Sequence, residues 1–319
     1  MSFFGQKVYI DDCLGLCNRL EALVLARAIH RSFGHEIVLG WPELDVLRVE
    51  GTSRGRPGLW GRCGAARVRS CSPELFQGLA ARRNILLRGF GGPEDKMAGV
   101  YEEAASCLGL CAPFAEGVAA ALRKIGPRPL VGVHLRRGDF PLVSEEVFDL
   151  HQTLLSAVPL WWHEAVMRAI VRRQPRVCFL LCHNGAADAV AQLKREFDVV
   201  EVPFRNPYHR PAGHQSPRHP VADLFALACC PVILATPVSS FSHYAANVLG
   251  PASTCLLPPP RMNRAAPAVV RIRVHQRLLR HWVEACLGPD AEVLPPTLDG
   301  IDFGQTARCD WLQTRPSGS

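Results

Sequence analysis

The sequence predicts an α/β protein made of two parallel-sheet domains. Three observations carry that expectation. The chain has 319 residues, too many for one typical core and suited to two of moderate size. Apolar runs of strand length alternate with stretches of helical period through both halves, the pattern of strand–helix–strand units. Between the halves stands Gly126-Pro127-Arg128-Pro129, a cluster that breaks regular structure. The expected domains are 1–126 and 127–319, the second including a C-terminal helix and tail.

Lys7–Ile10 reads as the first strand. After Asp11 and Asp12, the loop Gly15-Leu16-Cys17-Asn18-Arg19-Leu20 opens a helix that reaches about His30, with Leu20, Leu23, Val24 and Ala28 on one face. Such a loop aims free backbone N–H groups at whatever lies above the strand, a natural anion site, but the Gly-Lys-Ser/Thr ending of a P-loop is missing. Glu36–Leu39 and Ile85–Leu87 are further strands, and Phe114–Ile125 is a helix. Residues 51–74, rich in Gly, Arg, Ser and Pro, are expected to form an exposed loop or insertion.

In the second half, strands are expected at Leu130–Arg136, Val177–Cys182, Val199–Val202, Val232–Leu234 and Thr254–Leu257. The continuous apolar run at 177–182 is of the buried parallel type. Helices are expected at Trp161–Arg173, Ala186–Phe197, Val221–Ala228, Phe241–Leu249 and Val270–Cys286. Residues 204–220 form a loop rich in Pro, Arg and His, and the tail after Gly288 has little periodicity. No internal repeat is visible.

An apolar fraction of 48% and a charged fraction of 20% are globular values and exclude wholesale disorder. The net charge is +7, yet no Lys or Arg block is long enough for a nucleic-acid arm. The excess is mostly arginine, which suits a pocket for an anionic ligand because its fork matches phosphate oxygens. The 13 cysteines form no Cys-x-x-Cys pair, and Cys13/Cys17 and Cys107/Cys111 lack companion zinc ligands. Reduced thiols and a cytoplasmic location are expected. Met1–Ile10 lacks the features of a signal peptide, and no apolar run is long enough for a transmembrane segment.

The chemistry concentrates in Val131-Gly132-Val133-His134-Leu135-Arg136-Arg137-Gly138-Asp139, a strand that runs into paired guanidinium groups and a turn. Alternation sets His134, Arg136 and Gly138 on one side, facing a cleft, and Val133, Leu135 and Arg137 on the other. Arg136 is the better phosphate contact; Arg137 lies beyond the apolar run and turns either way. The competing account is an Arg–Asp pair with Asp139 that only braces the turn. Ser239-Ser240-Phe241-Ser242 sits at a strand-to-helix turn, where serines cap a helix or cradle a phosphate. Asp223 opens a helix, either as a favourable charge there or as a buried carboxylate for a guanine edge. His209, His214 and His219 read as solvated loop histidines, and Trp161-Trp162 as core with one exposed face. No Asp-x-Asp occurs, so the common acidic anchor for a metal–diphosphate complex is missing.

His134-Leu135-Arg136-Arg137-Gly138-Asp139 resembles the His-x-Arg-Arg-Gly-Asp motif of the GDP-fucose-dependent fucosyltransferases, which include α-1,2, α-1,6, nodulation-type and protein O-fucosyltransferases. Gly15-Leu16-Cys17-Asn18-Arg19-Leu20 is similar to their N-terminal Gly-Leu-Gly-Asn-Arg/Gln pattern. Asp223–Cys229, continuing to Ser239–Ser242, resembles their last donor-binding block. The three matches stand in the family's order. The resemblance implies a GT-B fold of two facing Rossmann-like domains with an interdomain cleft, an acceptor-side N-terminal domain and a donor domain after it. It implies inverting, metal-independent transfer of L-fucose from GDP-fucose, with no cofactor. Arg136 would bind the diphosphate and offset the charge of departing GDP. His134, Arg137, Asp223, Ser239, Ser240, Phe241 and Ser242 would hold the donor, and Gly15, Asn18 and Arg19 would approach it from the N-terminal domain. Asp139 and Glu145 are the candidate general bases, with Glu146 and Asp12 behind them.

Cys17 stands where the family has glycine, and Leu181-Cys182-His183-Asn184 where many members carry an acidic strand end; both mark a divergent member. The expected partners are a nucleotide-sugar donor and a small-molecule, glycan or peptide acceptor, shaped by 51–74 and 204–220; nucleic acid is not expected. Alternatives are another GDP- or dTDP-sugar donor, or a catalytically silent nucleotide-binding module.

Overall fold

The computed structural model describes residues 5–12, 14–185, 187–208, 217–272, 278–288, 292–294 and 297–314. The chain divides into two compact units, 1–114 with 314–319 and 115–313. The division therefore falls early in the helix Ala112–Arg123, ahead of the expected Gly-Pro punctuation. Within the second unit Gly117 lies against Phe204, 3.1 Å from where a Cβ would stand, so this helix packs forward in sequence.

The first unit holds β1 (Lys7–Asp11), α1 (Leu16–Phe33), β2 (Glu36–Gly40), β3 (Leu47–Val49), β4 (Ser53–Arg54), α2 (Leu59–Cys63), β5 (Ala66–Val68), α3 (Pro73–Gly78), β6 (Asn84–Leu87), α4 (Glu94–Ala98), α5 (Tyr101–Ser106) and β7 (Leu108–Leu110). Its main sheet has the order β4-β2-β1-β6-β5, and every pair is parallel. Residues 51–74 are thus not a plain loop. Ser53–Arg54 pairs with β2 and Ala66–Val68 with β6, forming both sheet edges. Strands of two and three residues carry too little periodicity to stand out from Gly- and Arg-rich sequence.

The second unit begins within α6 (Ala112–Arg123) and continues with β8 (Leu130–Leu135), β9 (Val147–Asp149), α7 (Leu160–Arg173), β10 (Cys178–His183), α8 (Ala187–Glu196), β11 (Val199–Val200), α9 (Pro220–Ala228), β12 (Val232–Leu234) and α10 (Ser240–His243). It closes with β13 (Thr254–Leu257), β14 (Arg261–Asn263), β15 (Val269–Ile272), α11 (Leu279–Leu287), β16 (Glu292–Leu294) and α12 (Trp311–Thr314). The sheet order is β11-β10-β8-β12-β13-β15-β16, parallel as far as β13 and antiparallel beyond it. The helix expected over 270–286 is therefore corrected. Its start, Val269-Val270-Arg271-Ile272, is β-branched and pairs as a strand; 273–277 lie outside the described residues, and a helix follows only from Leu279. The tail after Gly288 contributes β16.

β8 is the middle one of the five parallel strands, and all six of its residues are buried. Val131, Val133 and Leu135 join a core with Trp162, Met167, Ile170, Phe179 and Leu181. The opposite side of β8 is not an open cleft along its length: a Cβ on Gly132 would come 2.5 Å from Leu227 of α9, so glycine lets that helix lie against the strand. Residues 221–228 of α9 are all buried, which fits a helix apolar nearly all round. Trp161 and Trp162 are both core, with indole N–H groups donating to the carbonyls of Glu145 and Ala268.

Candidate functional site

From β8 the chain runs to β10 and β11 on one side and returns to β12 on the other, so the direction of winding reverses between β8 and β12. In open parallel sheets, ligands bind beyond the carboxyl ends of strands at such a point. The two motifs lie there: Arg136–Asp139 follows β8, and Ser239–Ser242 follows β12.

Hydrogen bonds join them. Thr236 Oγ1 donates to the His134 carbonyl (2.8 Å), Ser242 Oγ accepts from the Thr236 N–H (3.0 Å), and His134 Nδ1 lies 2.8 Å from Ser242 Oγ. Donation from the Ser242 hydroxyl to Nδ1 gives that hydroxyl an acceptor and leaves Nε2–H as the donor of His134. Burial, reinforced by the Arg136 charge, holds His134 down to about 3, so the ring is neutral. It stacks on Phe241, with centroids 4.9 Å apart. The turn into this block is strained: Val238 has φ +60°, a region that β-branched residues avoid. Ser239 and Ser240 are buried directly after it.

Arg136 donates to Asp139 from Nε (3.1 Å to Oδ1) and Nη2 (2.6 Å to Oδ2), and from Nη1 to Ser239 Oγ at 3.4 Å. Its Cζ lies 4.2 Å from the Phe140 ring centroid, a cation–π contact. Asp139 also accepts from Asn184 Nδ2 (2.6 Å). Partial burial pushes the Asp139 carboxyl up, but the hydrogen bonds and charge of Arg136, with the Asn184 amide, hold it below the usual carboxylate range. Asp139 is therefore clamped beside a cation, which suits holding Arg136 and not accepting a proton.

Arg137 and Glu145 go elsewhere. The Arg137 and Gly138 N–H groups donate to Asn184 Oδ1 (3.0 and 3.2 Å), while the Arg137 side chain lines a surface pocket of about 450 Å³ with Glu145, Trp161, Glu164, Asp188 and Gln192. Glu145 is thus grouped with Arg137 and not with Arg136. Gly138 is required where it stands, because a Cβ would lie 2.2 Å from the Asn184 carbonyl oxygen.

Asp223 lies in the first turn of α9, 4% exposed. Its carboxylate accepts from Arg218 Nε (3.1 Å) and Nη2 (3.4 Å). Burial raises it to about 6 against the pull of Arg218. His219, expected as a solvated loop residue, is buried; His209 and His214 lie outside the described residues.

In the first unit, Gly15 precedes α1 as its N-cap and is exposed. Asn18 is half-buried in the first turn, and Cys17 points into the core, 4% exposed. Arg19 is 2% exposed, with both terminal nitrogens on Glu43 (2.9 and 2.7 Å), one also 3.3 Å from Asp12, and its Cζ 5.2 Å from the Trp41 ring centroid. Expected as a donor contact, Arg19 instead braces the ends of β1 and β2. Sequence reasoning missed Asn184, Phe140, Thr236 and Arg218. Only Asn184-Gly185, a turn signal after an apolar strand, announced itself.

Among the described residues no group of His, Cys, Asp and Glu could hold a metal ion, the described cysteines are free thiols, and no helix is long and apolar enough to cross a membrane. No family model and no curated protein matches the chain. Among solved structures, an arginine-to-lysine mutant of Arabidopsis thaliana FUT1 in complex with GDP is similar at TM-score 0.51 and 10% identity, over 82% of this chain and 72% of that one. Fucosyltransferase NodZ from Bradyrhizobium is similar at TM-score 0.49 and 16% identity, over 79% of this chain and 96% of that one. What the likeness to FUT1 establishes is the fold: this chain shares it.

Proposed function

We propose that the chain is an inverting fucosyltransferase of GT-B type, moving L-fucose from GDP-fucose to a hydroxyl of a small molecule, glycan or peptide without a metal ion. The observation that carries this reading is the meeting of Arg136 with Ser239, and of His134 with Phe241 and Ser242, at the winding reversal between β8 and β12. A cation, serine hydroxyls, a neutral imidazole donor and an aromatic face suit a nucleoside diphosphate. FUT1, whose fold the chain shares, was solved with GDP, which supports that nucleotide as the leaving group.

In this reading Arg136 contacts the diphosphate, His134 and Phe241 flank the nucleoside, and Asp223 accepts from guanine. The acceptor oxygen bonds to fucose C1 as the bond from C1 to the β-phosphate oxygen breaks, and GDP departs with the electron pair. Arg136 offsets the charge that grows on the phosphate, doing the work given elsewhere to a metal. Asp139 holds Arg136 in place. The acceptor proton leaves late, to an oxygen of the departing diphosphate, from a loose transition state that needs no strong base.

The test is a donor panel of GDP-fucose, other GDP-sugars and dTDP-sugars against mixed glycan and peptide acceptors, read by product mass. Fucosylated product from GDP-fucose alone is expected. Turnover of a dTDP-sugar with none of GDP-fucose would replace the donor, and tight GDP binding without any transfer would leave a nucleotide-binding module.

A further inference from the structure

α9 is apolar almost all round, and Asp223 is its one charge. A carboxylate in such a place needs a partner, and Arg218 is built to be one. Nε and Nη2 of Arg218 face the two oxygens of Asp223 as a fork (3.1 and 3.4 Å). The guanidinium is itself anchored: Nη1 donates to Glu201 Oε1 at 2.8 Å and Nη2 to the Val202 carbonyl. Glu201 is held in turn by His183 Nε2 (3.2 Å) and Lys194, and the His183 hydrogen bond leads the causes that bring it to about 2. Arg218 is thus tied on two sides, with its side chain 14% exposed, and is not a latch free to swing away.

We propose that Arg218, anchored by Glu201, is a positioning residue that keeps Asp223 ionised and oriented, and so sets a preference for guanine among nucleoside diphosphates. This rests on the reading of Asp223 as the base contact. The guanine edge offers two donors, N1–H and the 2-amino group. An ionised carboxylate accepts both, whereas a protonated one accepts fewer and presents a donor of its own. Each Asp223 oxygen has lone pairs beyond the one Arg218 uses. Among the described residues the groups that act on the Asp223 carboxylate are Arg218 before α9, His183 of β10 and Glu201 beyond β11, with the Cys182 thiol beside the Asp223 carbonyl and His219 one turn earlier in the chain. Arg218 is the one permanent cation among them.

The experiment is calorimetric titration of the full chain with GDP, inosine diphosphate and ADP between pH 5 and 8, for wild type, Arg218→Gln, Arg218→Lys and Asp223→Asn. Wild type should bind GDP in preference to inosine diphosphate, which lacks the 2-amino group. Arg218→Gln should lose about tenfold in GDP affinity, the equivalent of about 1.4 kcal/mol, with little change for inosine diphosphate. The pH at which its GDP binding sets in should rise. Arg218→Lys keeps the charge without the fork, so it should restore the pH profile and only part of the selectivity. If Arg218→Gln does not fold, Arg218→Lys and Glu201→Gln, which loosens the anchor, carry the test through selectivity. Unchanged selectivity in Asp223→Asn overturns the base contact itself. Lost selectivity in Asp223→Asn with wild-type selectivity and pH profile in the Arg218 variants overturns the positioning role alone.

Discussion

Arg136 and Asp139 form a two-point pair, Nε on Oδ1 at 3.1 Å and Nη2 on Oδ2 at 2.6 Å, with Asn184 as third donor to the carboxylate. The pair decides between two roles for Asp139. A general base needs an open lone pair and a pKa near the working pH, whereas this carboxyl is held low by a cation. Asp139→Asn should therefore cut kcat/KM about 10–100-fold, the scale of a lost charged hydrogen bond, through a looser Arg136. The acidic limb of its pH–rate profile should stay where wild type has it; a limb that vanishes in the variant would return the base role to Asp139.

Arg136 is the cation at the winding reversal, and it also lies over Phe140. Arg136→Ala should lower kcat about 10²–10³-fold, the typical loss when one preorganised charge-stabilising donor is removed, with an unchanged circular dichroism spectrum. Arg136→Lys should recover only part of this, because an ammonium keeps the charge but not the fork or the planar stacking. Wild-type turnover in the alanine variant would remove Arg136 from the reaction.

Gly138 lies where the ends of β8 and β10 close on each other. The methyl of Gly138→Ala would meet the Asn184 carbonyl oxygen at 2.2 Å, and backbone cannot rotate away as a side chain can. Forcing the ends apart should cost about 1–3 kcal/mol, seen in urea unfolding, and should weaken GDP binding through the displaced Arg136–Asp139–Asn184 cluster. Wild-type stability and affinity together would mean that the turn yields freely.

The central parallel strands of both sheets and the two motif turns were legible because each rests on local pattern. The apolar run before Arg136 marks a strand, and the Ser239–Ser242 block follows another. Four things were not legible. The Ser53–Arg54 and Ala66–Val68 edge strands are too short for a period. Val269–Ile272 continues smoothly into helix-like sequence, and only pairing with β13 makes it a strand. Arg19 and Arg136 look alike in sequence, yet Glu43 and Trp41, distant along the chain, turn Arg19 inward. Arg218 and Glu201 are ordinary loop charges until the fold brings them to a buried Asp223. Each failure concerns a partner chosen by tertiary structure, which residue spacing cannot name.

Buried histidines set the acid limit of the fold. Burial holds both His134 and His163 at about 3, below the ordinary value near 6.5. Between those values the unfolded chain binds more protons than the folded one, so stability falls as pH drops, by about 1.4 kcal/mol per pH unit for each histidine. Asp223 works in the opposite sense: raised to about 6, it takes up its proton more readily in the folded state and adds stability as pH falls toward 4. Two histidines against one aspartate leave a net loss. His163 is the better probe, because it packs edge-on against Trp162 in the core and its polar contact is with the Pro159 carbonyl, which keeps the Trp162 backbone N–H as a donor when the imidazole is removed. His163→Leu strands no partner and removes one buried proton acceptor. It should match or exceed wild type in urea unfolding at pH 7 and exceed it by about 2–3 kcal/mol at pH 4.5, with GDP affinity unchanged. Parallel stability–pH curves for variant and wild type would show that His163 is protonated in the folded state.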